Sequence, residues 1–347
     1  MKKIAISSLL LSSILISSCS SGSSGSNPNT PAQQFATTIT SQSIQIANSL
    51  QTLQLATFPN KQNIAYLLAH PNNDAYTHDL YYFNGNSWQQ NTLTFKSQKF
   101  DALTMTYANS GLYLGGSDDS VNNGKAQLYF YNGITTQLIE SNPYLQHCNN
   151  YCYINALTTA NNNSTIYTSG VDDNGIEIYM YDGSWTILPS APRATESAFI
   201  VPSDGYMYLL GVKALTVDSY GNLYLGAAFG AYKGPYEGYL AKFSNGAWQQ
   251  ESLPQQFSWS VNGLTFVNNL LYTAGSNNAY FGAPSADYSI SSLYNTQWNQ
   301  LYSYTVTESS QYGSPSGIYS DSYGNIYSLM EQNGLGNVMT LSIPASN

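Results

Sequence analysis

Carboxylates, imidazoles and thiols are scarce in this chain, so the few that cluster stand out. His70 and His78 bracket one segment, with Asp74 and Asp79 close by. Asp118-Asp119 and Asp172-Asp173 occupy equivalent points of the next two segments. A ring of such carboxylates could hold Ca²⁺, a hard cation that takes oxygen ligands. The Asp-x-Asp-x-Asp-Gly order of a dedicated calcium loop is missing, so Asp118, Asp119, Asp172 and Asp173 are weak metal candidates and read first as polar turns. Two loop carboxylates could also cleave a glycosidic bond, one as acid and the other as base or nucleophile. A glycosidase-like, carbohydrate-active enzyme is therefore the alternative function, although no spacing singles out a catalytic pair. Cys148-x-x-x-Cys152, beside His147, offers two thiols and one imidazole, fewer ligands than a closed zinc site needs. Two thiols in one loop of an exported chain point instead to a Cys148–Cys152 disulfide. No catalytic residue, cofactor or firm metal site is assigned.

Charge narrows the classes further. The 347 residues include 19 Asp and Glu against 10 Lys and Arg, and only 8% are charged, against roughly 25% in an ordinary soluble domain. The one arginine is Arg193. A nucleic-acid partner would require a basic stripe, and none is present. A sialidase-type site, which grips a carboxylate with three arginines, is out of reach. The polar surface must come from Asn, Ser, Thr, Gln and Tyr, and Tyr alone occurs 31 times. With 42% hydrophobic and 14% aromatic residues the chain can bury a core.

The chain starts with Lys2-Lys3 and an apolar run from Ile4 to Ile16, too short to span a bilayer and patterned as a secretory signal. Ile16-Ser17-Ser18-Cys19 resembles a bacterial lipobox. The resemblance implies removal of residues 1–18 and lipidation of Cys19, hence a membrane partner through a lipid anchor. Ser20, where an aspartate would favour inner-membrane retention, favours the outer membrane for a Gram-negative source. Residues 19–37, rich in Gly, Ser, Asn and Pro, read as a tether about 20 Å in root-mean-square span.

The elements that position any site come from a repeat. Asp-Ser-Tyr-Gly-Asn, flanked by short apolar runs, occurs at 218–222 and again at 321–325 after Ser320, with weaker copies near 56, 108, 161 and 268. Each reads as a hairpin, and Gly221 and Gly324 can adopt the positive φ such a turn needs. A second hairpin follows each, turning at Asn84-Gly85, Asn132-Gly133, Asp182-Gly183 and Asn245-Gly246, and departing from the pattern at Asn295-Thr296-Gln297. Leu103, Leu157, Leu215, Leu264 and Ile318 mark successive units by their spacing of 54, 58, 49 and 54 residues. A recurring four-stranded unit of this length implies an all-β chain: a six-bladed β-propeller of antiparallel blades over residues 38–347, with seven blades the alternative. The final unit lacks a fourth strand, and residues 39–47 form a strand without a local partner, so the N-terminal strand is expected to close the ring. Units four and six resemble NHL-type repeats in their Asp-x-x-Gly-Asn-aliphatic-Tyr hairpin. Units two and three resemble kelch repeats in Gly115-Gly116 and in the order of Tyr181, Trp185 and the prolines. These likenesses imply the fold and no particular activity.

In such a fold the tight turns share one face, while the longer segments and the blade-to-blade connections share the other. The long-segment face is where function is expected. It carries the ligand-binding candidates Tyr76, Tyr144, Tyr232, Tyr236, Tyr280, Phe281 and Tyr288, with Trp259 near a blade junction. Tyr joins an apolar face to a hydroxyl, suited to sugars or to a protein surface. Trp88, Trp185, Trp248 and Trp298 keep one repeat position and read as inter-blade packing. The sequence thus describes a lipid-anchored cell-envelope propeller that binds an envelope protein or a glycan, with no catalysis implied.

Overall fold

Successive rather than alternating apolar residues mark strands covered on both faces. In the stretch Leu-Tyr-Phe-Tyr, Leu128 is 0% exposed, Tyr129 1% and Tyr131 4%. The computed structural model describes residues 38–44, 50–57, 64–71, 76–84, 88–108, 111–120, 124–145, 152–161, 164–172, 175–189, 191, 211–230, 236–253, 260–277, 286–294, 296–306, 315–320, 325–332 and 335–342. They form strands only: β1 (Thr38–Ile44), β2 (Leu50–Thr57), β3 (Ile64–Pro71), β4 (His78–Asn84), β5 (Trp88–Leu93), β6 (Phe100–Ala108), β7 (Gly111–Asp118), β8 (Ala126–Tyr131) and β9 (Thr136–Ser141). There follow β10 (Tyr153–Thr159), β11 (Ile166–Asp172), β12 (Gly175–Tyr181), β13 (Trp185–Ile187), β14 (Gly211–Val217), β15 (Leu223–Gly230), β16 (Tyr236–Ser244) and β17 (Ala247–Gln250). The last are β18 (Ser260–Val267), β19 (Leu270–Asn277), β20 (Ala286–Tyr294), β21 (Gln297–Val306), β22 (Pro315–Ser320), β23 (Asn325–Gln332) and β24 (Leu335–Ser342).

Among the described residues the strands make six four-stranded antiparallel sheets. Five are sequential meanders from β2 to β21; in the remaining one β1 pairs with β24 over seven residues, Thr38↔Ser342 to Ile44↔Gly336. The N-terminal strand therefore supplies the fourth strand that the last unit lacks. The hydrophobic cores lie between sheets. One joins Leu68, Leu80 and Leu93 to Phe100, Leu112 and Tyr129 across the first two meanders. Equivalent clusters link each later sheet to the next. The first strands of the sheets touch in a closed cycle, β2 to β6, β10, β14, β18, β22 and back to β2.

Turn chemistry follows the sequence at Gly221 (φ 85°) and at Asn245-Gly246 (φ 52° and 79°). Asn268 and Asn269 take φ of 50° and 63° without any glycine, as Asn tolerates this region. Thr296 also sits at φ 65°, a strained choice for a β-branched residue. The Asp-Ser-Tyr-Gly-Asn motif proves to be a self-bracing turn. The buried Asp218 carboxylate accepts the backbone N–H of Tyr220 and of Asn222, both at 2.9 Å, and the Asn222 amide at 2.7 Å.

Two segments expected to be long loops begin and end in strand. β15 and β16 pair as far as Gly230↔Tyr236, and β19 and β20 as far as Asn277↔Asp287. The Gly, Pro and Ser residues there look like loop punctuation, yet backbone pairing continues through their flanks.

Candidate functional site

All six first strands share a local irregularity. Register between first and second strand slips by one residue at Leu103, Asn155, Lys213, Asn262 and Ser316, and between Leu50 and Leu53 in β2. Such bulges re-aim a side chain. They also shift the alignment: after the bulges, Met105, and not Leu103, is the structural equivalent of Leu157, Leu215, Leu264 and Ile318.

Those five aliphatic side chains line two cavities at once. The larger, about 330 Å³, is bordered by the C-terminal ends of β6, β10, β14, β18 and β22. Hydroxyls dominate its wall: Thr106, Thr158, Thr216, Thr265 and Ser320, with Tyr107, Phe266 and Tyr319. The smaller, about 30 Å³, lies on the bulge side of the aliphatic residues and is bordered by Lys213 and Asn262. Among the described residues no Asp, Glu, His or Cys lines either cavity. The larger cavity sits among the first-to-second turns, at the opposite end from the long-segment face.

Hydrogen bonds sew this turn end together from sheet to sheet. Asn161 donates to the Asp218 carbonyl at 2.6 Å, Ser219 to Asn269 Oδ1 at 2.5 Å, and the Thr265 and Ser320 hydroxyls meet at 2.6 Å. Deeper in, the Asn155 amide donates to the Val212 carbonyl at 2.9 Å, and its Oδ1 accepts from Ser169.

The candidates named from sequence separate into several groups. Tyr144 is 46% exposed and its ring stacks on Tyr179, centroids 5.9 Å apart and planes at 17°. Tyr179 is fully buried and donates to Glu177 Oε2 at 2.8 Å. Tyr76, 38% exposed, donates to Asp119 Oδ2 at 3.1 Å, bridging the first two sheets. Tyr288 must be corrected: it lies within β20, 1% exposed, because strand pairing takes in the segment that resembled a loop. Tyr236 begins β16, so it too belongs to a strand rather than a loop. Tyr232, Trp259, Tyr280, Phe281, Cys19, Cys148 and Asp173 lie outside the described residues. Cys152 is buried and disulfide-bonded.

The acidic pair in the second sheet is occupied by its own protein. Asp118, 7% exposed, accepts from Ser97 Oγ at 2.5 Å, Ser120 Oγ at 2.6 Å, Ser120 N at 3.1 Å and Gln127 Nε2 at 3.0 Å. Burial pushes its carboxyl pKa up, but these donors outweigh that and hold it below the ordinary carboxylate value. Asp119 accepts from Ser117 at 2.9 Å as well as from Tyr76. Asp172 ends β11. Among the described residues no three His, Cys, Asp or Glu are grouped to hold a metal ion.

Of the repeated tryptophans, Trp185 is 8% exposed. Trp248 Nε1 donates to the Pro189 carbonyl at 2.8 Å and Trp298 Nε1 to the Ser252 carbonyl at 3.1 Å, each reaching back to the preceding sheet. Sequence reasoning missed the bulged residues. Their signal is a polar residue ahead of a small one and an aliphatic one, as in Asn155-Ala156-Leu157, Lys213-Ala214-Leu215 and Asn262-Gly263-Leu264.

Similar solved structures share this architecture. A structural genomics protein of unknown function from Bacteroides thetaiotaomicron aligns with a TM-score of 0.54 at 13% identity, over 87% of this chain and 72% of that one. YjhT aligns with a TM-score of 0.54 at 12% identity, over 88% of this chain and 97% of that one. The body is a β-propeller. A glucose dehydrogenase aligns with a TM-score of 0.50 at 9% identity, over 88% and 99% of the two chains. At such identities the likeness speaks to the fold alone. No family model and no curated protein matches the sequence.

Proposed function

We propose that this chain is a lipid-anchored protein of the cell envelope whose propeller, six-bladed and built from NHL-like and kelch-like repeats, binds an envelope protein or a glycan through its long-segment face. Cys19 carries the lipid and residues 19–37 form the tether. The observation that carries the binding reading is the Tyr144–Tyr179 stack. One ring is braced from behind by a buried, hydrogen-bonded neighbour, and 46% of Tyr144 stays open to solvent. A flat aromatic held this way loses little conformational freedom on meeting a sugar ring or a protein side chain.

The test starts with the mature protein on immobilised glycans and solubilised envelope proteins. For the partner it retains, Tyr144→Ala weakens affinity about two- to tenfold, the worth of one stacked aromatic, and leaves the Tm unchanged. Cys19→Ser moves the protein from the membrane fraction to the soluble one. Full affinity in Tyr144→Ala refutes binding through this ring, and unchanged partition of Cys19→Ser refutes the anchor.

A further inference from the structure

We propose that the channel holds a second binding site, for short aliphatic monocarboxylates, with the carboxylate on the Lys213 ammonium and the alkyl chain running through the ring of Met105, Leu157, Leu215, Leu264 and Ile318. This site is separate from the long-segment face and does not depend on the function proposed for it.

The bulge between Val212 and Ala214 carries Lys213 to the wall of the smaller cavity. Its side chain reaches water in the lumen, yet protein surrounds it, and the loss of bulk solvation pushes its pKa below that of an ordinary lysine. Among the described residues it has no ion-pair or hydrogen-bond partner. Lys242 provides the contrast. It is also partly desolvated, but Tyr224, Asp218 and Glu251 surround it, and their combined effect raises its pKa.

A cation in a narrow lumen, with no acidic residue among the described residues of the cavity walls, attracts an anion more strongly than one on the open surface. The net charge of the whole chain is −9, so the lumen is a local exception to a surface that repels anions. One ammonium neutralises one carboxylate and leaves a dianion half-compensated. Asn262 borders the same small cavity. Asn155 is spent on Val212 and Ser169. The same five aliphatic side chains border both the small cavity that Lys213 lines and the cavity of about 330 Å³. An anionic head followed by an apolar shaft fits that order. A sugar or a phosphate would place polar groups against the aliphatic ring.

Calorimetric titration of the full chain in detergent with acetate, butanoate, hexanoate and hexan-1-ol provides the test. Affinity is expected to climb about three- to fourfold per methylene from acetate to hexanoate. Hexan-1-ol, with the same shaft and no charge, binds at least tenfold more weakly than hexanoate. Lys213→Met reduces hexanoate affinity at least tenfold without lowering the Tm, and Lys213→Arg retains most of it. The proposal is overturned if no acid binds, if the series is flat, if the alcohol matches the acid, or if Lys213→Met binds like the wild type. The acid-to-alcohol comparison is made on the unmodified chain and stands even where a variant fails to fold.

Discussion

The first and fourth strands of a single sheet differ more than their sequences suggest. In β14, the first strand of its sheet, five of seven residues are buried and Lys213 is the one exposed position. In β17, the fourth strand of the same sheet, three of four residues are exposed and Trp248 is half-buried. First strands meet their neighbours backbone to backbone: a Cβ added at Gly263 would fall 2.4 Å from the Ile318 nitrogen. Fourth strands reach the preceding sheet through side chains, as when Trp248 donates to Pro189. Distance from the channel, more than residue type, decides what a position tolerates.

Three substitutions test that gradient. The largest effect is expected at the centre. Gly263→Val drives a branched side chain into backbone that has no room to retreat, and costs about 3 kcal/mol or more in urea denaturation. A wild-type midpoint would mean the inner ring has slack. Intermediate loss is expected at Asp118, on the second strand of its sheet. Asp118→Asn exchanges one carboxylate oxygen for an NH2 that faces the Ser97, Ser120 and Gln127 donors, of which Gln127 is buried, and costs about 1–3 kcal/mol near neutral pH. Because the folded-state carboxyl pKa lies below its ordinary value of 3.8, the stability it adds is complete above that value and lost as pH falls through the folded value. Thermal melts from neutral to strongly acidic pH therefore converge for wild type and variant at the acid end. Parallel curves would show that the carboxylate is not the source. The smallest effect belongs to the rim: Trp248→Phe keeps an aromatic ring, loses one hydrogen bond, and costs about 0.5–1.5 kcal/mol. A loss there as great as at Gly263 would abolish the gradient.

What the sequence made legible was local. Asn-Gly turns announced the hairpins, and an orphan strand at one end with a missing strand at the other announced the β1–β24 pairing. The channel was not legible, because its wall gathers first strands that are far apart in the chain. A bulge alters register without altering composition. Ala102-Leu103-Thr104 matches Ala156-Leu157-Thr158 and Ala214-Leu215-Thr216 letter for letter, yet the structural match to Leu157 and Leu215 is Met105. Tyrosine was equally ambiguous. Tyr144 lies open to solvent while Tyr288 is sealed in a strand, and a chain with 31 tyrosines gives no compositional reason to separate them.

The β1–β24 pairing also sets a timetable. β1 is among the first folded residues to be synthesised, and its partner is among the last, so the closing contact spans nearly the whole propeller and pays a long-loop entropy before it forms. Until then β1 must wait as an unpaired strand while the intervening sheets assemble. Its composition suits the wait: of Thr38-Ile39-Thr40-Ser41-Gln42-Ser43-Ile44, only the two isoleucines are strongly apolar, which makes a poor template for sticking to other chains. A nascent chain halted before residue 335 would hold every meander from β2 to β21 and still have an open seam.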